Sequence, residues 1–219
     1  VLRDPRASDV YSNYWMLRRL ARAGMPDVLA VISGERVEFL ADRGIHADLV
    51  PYGYEAADGR DLGLERDIDV LLLTAAQLRE RKRAVRLLRR AGIRVETVGS
   101  YSEPAFWGES RTELVNRAKI MLSVSRFPGT FTSKRFLIGM ACNALVVSDP
   151  LYDPTPFRRG VHFVESRVDD LASCVERYLA DPAERRRIAQ QGHDFVTREL
   201  TMERTFSRLL DVMSERLVA

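Results

Sequence analysis

Gly129-Thr130-Phe131-Thr132-Ser133-Lys134-Arg135-Phe136 runs on through Met140-Ala141-Cys142-Asn143 into Ala144-Leu145-Val146-Val147-Ser148-Asp149-Pro150, and this stretch decides the fold. It reads as a Gly/Thr/Ser loop, a short apolar helix, a tight turn and a buried strand that ends in polar residues. Thr132 or Ser133 can cap the helix with a side-chain oxygen. Lys134 and Arg135 then fall in its first turn, where cations oppose the helix dipole unless an anion shares the site. Free backbone N–H groups beside two cations suit a phosphate; otherwise both cations point into water. Gly129 lets the backbone approach a ligand closely, and Thr130 or Ser133 can donate a hydroxyl.

The same phrase repeats outward from this stretch. Short apolar runs at 70–73, 95–98, 120–124 and 144–147 are separated by helical patterns, and a weaker strand is expected at 162–164. Continuous apolar strands alternating with helices predict an α/β fold, a doubly wound parallel sheet with helices on both faces. Ser110-x-x-Glu113 matches a capping box. Asp181-Pro182-x-Glu184 puts an acceptor at a cap and proline at the first helical position. Leu171, Cys174, Val175, Tyr178 and Leu179 mark one amphipathic helix. Met202, Phe206, Leu209, Leu210, Met213 and Leu217 mark a final one, capped by Thr201. Upstream, a helix over 10–23, a strand at 28–32, a helix from about 35 to Gly44 and a strand at 47–50 lead through Pro51-Tyr52-Gly53-Tyr54 into a polar stretch, 55–66, that reads as a linker.

The 219 residues are 46% hydrophobic and 30% charged, an ordinary globular composition. With 34 basic and 31 acidic residues the net charge is +3, which implies no global polyanion partner, and no nucleic-acid partner is expected from the one Arg-rich segment after residue 79. Cys142 and Cys174 lie in apolar helical patterns and read as reduced core residues of a cytoplasmic protein. No apolar run reaches the ~18 residues a membrane span needs, although peripheral membrane contact stays open. His46, His162 and His193 show no metal-ligand spacing; no metal and no cofactor are expected. His162 is expected to start a strand, and His193 to lie exposed on a helix.

In an open parallel sheet, ligands bind outside the carboxyl ends of the strands, which selects four loops. Thr74 opens the first, followed by Arg79, Arg81, Lys82 and Arg83; Arg81 and Arg83 are the phosphate candidates, against a solvated helix face. Gly99-Ser100-Tyr101 opens the second, with Phe106 and Trp107 beyond, either stacking on a base or covering the sheet end. The third is the Gly129 loop with Thr130, Ser133, Lys134 and Arg135. Ser148-Asp149 is the fourth, where Asp149 can accept from ribose hydroxyls or simply start a turn. Ser148, Asp149, Ser100 and Tyr101 are the ribose or base candidates.

Arg135-Phe136-x-x-x-Met140-Ala141-Cys142-Asn143, with Gly160-Val161-His162-Phe163-Val164-Glu165 and Asp181-Pro182-x-Glu184-Arg185-x-x-x-Ile188-Ala189-x-x-Gly192, resembles the GT-B glycosyltransferases. The likeness is to the group 1 and spore-maturation-type glycosyltransferase-like proteins, over about residue 67 to the C-terminus. It implies a Rossmann-like half of a GT-B fold. Residues 1–54 would end an N-terminal domain whose remainder is missing, and 55–66 would be a linker. Residues 67–200 would bind the nucleotide-sugar donor, and 201–219 would be a helix crossing back. It implies sugar transfer from a nucleotide diphosphate sugar to an acceptor hydroxyl, with no metal, in bacterial polysaccharide or glycoconjugate synthesis. No turnover is expected of these residues alone. Lys134 and Arg135 would stabilise the leaving diphosphate. Two departures stand out: Ile138 and Thr130 occupy positions where retaining members carry Glu, and Asn143 replaces a family Gly. They open the alternative of a non-catalytic binding module. A receiver-like domain would need acidic strand ends, where this chain has Thr74, Gly99, Ser125 and Ser148.

Overall fold

The computed structural model describes residues 11–74, 78–99, 102–125, 129 and 133–217. The N-terminal part comprises α1 (Tyr11–Arg22), β1 (Ala30–Val31), α2 (Gly34–Ala41) and β2 (Asp48–Leu49). Strands β1 and β2 pair in parallel, and Tyr14, Leu40, Ile45 and Ala47 form a small core of their own. The expected strand at 28–32 shrinks to two residues, paired among the described residues with β2, itself two residues long.

A larger unit follows: β3 (Ile68–Leu73), α3 (Arg79–Arg90), β4 (Val95–Val98), α4 (Gly108–Asn116), β5 (Ala118–Ser123), α5 (Ser133–Ala141), β6 (Leu145–Ser148), β7 (Val164–Glu165), α6 (Leu171–Ala180) and α7 (Pro182–Asp194). A π-helical turn at Phe195–Glu199 and the long α8 (Met202–Leu217) close the described chain. The five strands are all parallel, in the order β4-β3-β5-β6-β7. The sheet is doubly wound, as the repeating apolar runs predict. Alternation explains why those runs are unbroken. Val70 and Leu72 face a core shared with Leu88 of α3, Val175 of α6 and Ile188 of α7. Leu71 and Leu73 face the opposite core with Val115 of α4 and Ile138 of α5. No residue of this quartet is more than 4% exposed, so both pleat faces demand apolar side chains.

From Ser133 to Ser148 the organising stretch folds as read, a helix, a tight turn and a buried strand, while the cap candidate Thr132 lies outside the described residues. Helix α5 packs so close to the sheet that a Cβ at Gly139 would sit 2.7 Å from Val146 Cγ2 and 3.0 Å from Met121 Sδ. Asn143 ends the turn in the left-handed region at φ 55°, which its short polar side chain tolerates, and its amide bonds Asp61 and Gln190 at 2.9 and 3.1 Å. Asp181 caps α7 by accepting from the Glu184 N–H at 3.0 Å. Thr201 caps α8 by accepting from the Arg204 N–H at 3.3 Å.

Two local readings need correction. Ser110 caps nothing, because α4 already begins at Gly108 after a short turn at Pro104–Phe106, and Ser110 lies inside its first turn. His162 does not start a strand. The turn closed by His162 N–H to Arg158 O and Gly160 N–H to Phe163 O delays β7 until Val164, where pairing with Val147 begins.

The 55–66 stretch lies against α4 and α5. Arg111 donates to the Ala57 and Asp58 carbonyls at 3.0 and 3.1 Å. The Asn116 side chain accepts from Leu62 N–H and donates to Arg60 O. Arg66 donates to the carbonyls of Ala118 and Cys142 at 2.6 and 2.8 Å. Ahead of it, Tyr54 pairs with the start of α8, donating to Leu200 O and accepting from Met202 N–H. The far end of α8 returns to the N-terminal part, where Arg216 meets His46 and Asp48.

Candidate active site

The strand order places a topological switch between β3 and β5, whose following helices α3 and α5 lie on opposite faces. A crevice at the carboxyl ends of such strands is the expected ligand position. Thr74, Gly99, Ser125 and Ser148 end or follow β3, β4, β5 and β6, as the sequence reading had them. Arg81 bridges the switch: its Nε donates to Val124 O at 2.9 Å and its Nη1 to the Thr74 hydroxyl at 2.6 Å. It is 5% exposed, and its guanidinium ties the two strand ends together. Arg83, the other candidate on α3, turns outward to ion pairs with Asp169 and Glu80.

Asp149 closes the β5 and β6 side. Its Oδ1 accepts from the Ser125 N–H at 2.8 Å and the Ser125 hydroxyl at 3.0 Å. Burial pushes its carboxyl above the usual range, against the Ser125 bonds and the field of Arg135. Arg135, in the first turn of α5, is near enough for its charge to act on Asp149. Ser148 is fully buried and donates to the Asp149 carbonyl. Gly129 adopts φ +79° and pairs with the next loop, its carbonyl accepting from Tyr152 N–H at 3.0 Å. Lys134 forms an ion pair with Asp58 and a 3.2 Å hydrogen bond to the Tyr52 hydroxyl. Burial works against its charge, but the Asp58 and Tyr52 bonds outweigh it and raise its pKa. Ser133 is the first residue of α5. Thr130, Ser100 and Tyr101 lie outside the described residues.

Sequence reasoning missed Ser125 as the partner of Asp149; the only signal was its place just after β5. It also missed Glu165, whose Oε1 accepts from Leu151 N–H and Arg159 Nε at 2.8 and 2.9 Å and so shapes the loop after Asp149. Among the described residues no group of three His, Cys, Asp or Glu is placed to hold a metal ion, and no helix is long and apolar enough to cross a membrane.

The histidines stay outside the crevice. His193 is half-buried, not exposed, with Nδ1 at 3.1 Å from the carbonyls of Met140 and Ala141. His162 stacks on Phe195 at 4.2 Å and accepts from the Arg158 N–H. Burial, with the nearby Arg158 charge, lowers its pKa from 6.5 to about 4. The unfolded chain therefore binds a proton between these values that the folded chain refuses, and stability falls as pH drops through that window. The expected result is a lower urea midpoint at pH 5 than at pH 7, with the difference reduced in His162→Gln.

The family model described as glycosyl transferase-like matches residues 79–211. The chain belongs to that family. No curated protein sequence matches this glycosyl transferase-like chain. Its fold is found in GT-B glycosyltransferases. Anabaena Alr3699/HepE, solved in complex with UDP and glucose, superposes with TM-score 0.73 at 12% identity, over 98% of this chain and 70% of that one. TarM gives 0.69 at 9% identity, over 90% of this chain and 45% of its own length. Sucrose-phosphate synthase from Thermosynechococcus elongatus gives 0.63 at 17% identity, over 88% and 59%. The chain thus spans less than half of TarM and about two thirds of HepE.

Proposed function

We propose that this chain is the donor-binding part of a glycosyltransferase and holds a nucleotide diphosphate sugar in the crevice over β3, β5 and β6. The observation that carries the reading is the position of Arg135 in the first turn of α5, its charge felt by Asp149, which Ser125 holds at the end of β5. The positive end of α5 and the Arg135 guanidinium would meet the diphosphate. They would stabilise its growing charge as the glycosidic bond to the leaving group breaks. Lys134 would join them by exchanging Asp58 for phosphate. Asp149 would accept from a ribose hydroxyl. UDP is the first nucleotide to try, because the HepE structures hold UDP or UDP-glucose. The acceptor hydroxyl and any general base would come from outside these residues, so turnover is not expected of the chain alone. Action in the cytoplasm, on bacterial polysaccharide or glycoconjugate, belongs to the same proposal.

One observation favours a second reading. Ile138 is 5% exposed and packs with Leu71, Val115 and Cys142, so an apolar core contact occupies the position of the carboxylate the resemblance leads one to expect. A non-catalytic module that recognises without transferring would tolerate this.

Thermal melting of the chain with UDP, GDP, ADP, TDP and CMP separates the two. A ligand that binds only the folded state at ~100 times its Kd adds about 2.7 kcal/mol. One diphosphate raising the melting temperature supports the donor reading. A folded chain that none of the five stabilises contradicts it and leaves the module.

A further inference from the structure

We propose that the groove between α3 and the edge strand β4 is a binding track for an acidic glycan chain. The assignment rests on the donor reading only in naming that glycan as the acceptor.

The groove is a cleft of about 520 Å³, and five of the side chains lining it are cationic: Arg81, Lys82, Arg86, Arg89 and Arg90. Among the described residues no carboxylate lines it. Lys82, Arg86, Arg89 and Arg90 are exposed, and no ion pair to Lys82, Arg86 or Arg90 occurs among the described residues. Positions 82, 86 and 90 are four apart, so they form one stripe with a cation about every 6 Å over about 12 Å. That length and repeat match a chain bearing an anionic group on each unit better than a single phosphate. Such unpaired like charges repel one another, so the helix bears a cost that a polyanion would remove.

The opposite wall is neutral and hydrogen-bonding. Strand alternation turns Thr97 into the groove and Glu96 to the other face. Hydroxyl-rich sugar rings suit that wall. Among the described residues no aromatic side chain lines the cleft, so none there offers a nucleobase a stacking face. A lipid surface fits poorly too. The cations line a recess. Of the exposed large apolar side chains, Trp15, Met16, Phe206 and Leu210 sit on α1 and α8, while Trp107 lies between β4 and α4; none lines the groove.

The upper end of the groove is Thr74 and Gly99, with Arg81 beneath. These are the strand ends that border the proposed donor crevice. A glycan lying along α3 would thus point one end toward the place where sugar would be transferred.

The test is fluorescence anisotropy of a labelled heparin-derived octasaccharide with the whole chain, at 50 and 200 mM salt. Lys82→Gln, Arg86→Gln and Arg90→Gln together keep good helix formers at exposed positions. This triple should weaken binding at least about tenfold and make its salt dependence shallower. A control triple, Arg22→Gln, Arg186→Gln and Arg208→Gln, removes the same charge elsewhere and should change affinity less than about twofold. Absent binding, or equal loss in both triples, overturns the track. Tighter binding of oligo-dT or of phosphatidylglycerol vesicles through the same three residues overturns the glycan assignment. UDP titrated into the groove triple should bind as in the parent chain. If UDP binds neither protein while the octasaccharide still discriminates the triples, the donor reading falls and the glycan track stands.

Discussion

Gly53→Ala is expected to destabilise the chain by about 3 kcal/mol, the upper part of the usual overpacking range. Gly53 lies in the segment that joins the N-terminal part to the larger sheet, where the start of α8 crosses it. A Cβ there would lie 2.6 Å from Met202 Cα and 2.5 Å from Thr205 Oγ1, and closer still to the Thr201 carbonyl oxygen. Two of these atoms are backbone, so no rotamer change relieves the clash. The shift would also strain the bonds of Tyr54 to Leu200 and Met202, and of Thr205 Oγ1 to Pro51 O at 2.9 Å. At 2–4 °C per kcal/mol for a chain of this size, the loss should lower the melting temperature by roughly 6–12 °C. A calorimetric scan checks it. A change under 2 °C, about what 1 kcal/mol or less would give, would show that the crossing is looser than described.

Arg81→Met is expected to cost a similar amount, and Arg81→Lys should recover less than half of it. Methionine keeps an apolar stem but leaves Val124 O and the Thr74 hydroxyl without the guanidinium. Each lost bond to a charged donor is worth about 1.5–3 kcal/mol when its partner stays buried. Lysine keeps the charge but not the planar fork that reaches two strand ends at once. Because those ends flank the switch between β3 and β5, the variants should also weaken nucleotide binding. Urea unfolding checks the first effect and calorimetry the second. Lysine behaving like the parent in both would mean that charge alone, and not the bridge, is needed there.

Much of this architecture was legible in the sequence because each strand is apolar on both faces. Val70 to Leu73 and Leu145 to Val147 admit little else than a sheet covered twice. The left-handed turn at Asn143 and the caps at Asp181 and Thr201 were legible for a local reason: the side chain that makes the contact lies within a few residues of the atom it satisfies. What was hidden depends on distant partners. Nothing local reveals that Lys134 meets Asp58, that Arg83 turns to Asp169, or that Arg81 spends its donors on Val124 and Thr74. Cationic side chains are long and can reach either a phosphate or a carboxylate, and spacing does not choose between them. The polar stretch 55–66 hides its partners in the same way. Its composition reads as a linker, and nothing local reveals that Arg66 and Asp58 are bound against the sheet unit by groups 52 to 76 residues away. Ser110 shows the converse, a matching motif defeated because the helix began one turn of chain too early.

Isothermal titration of UDP into the chain and into Arg135→Ala tests the central claim most directly. Saturable binding to the parent chain is expected, with affinity reduced about tenfold to a hundredfold in a folded Arg135→Ala, as for one lost charge-assisted contact. Equal affinity in both proteins would place the nucleotide away from the first turn of α5 and contradict the site.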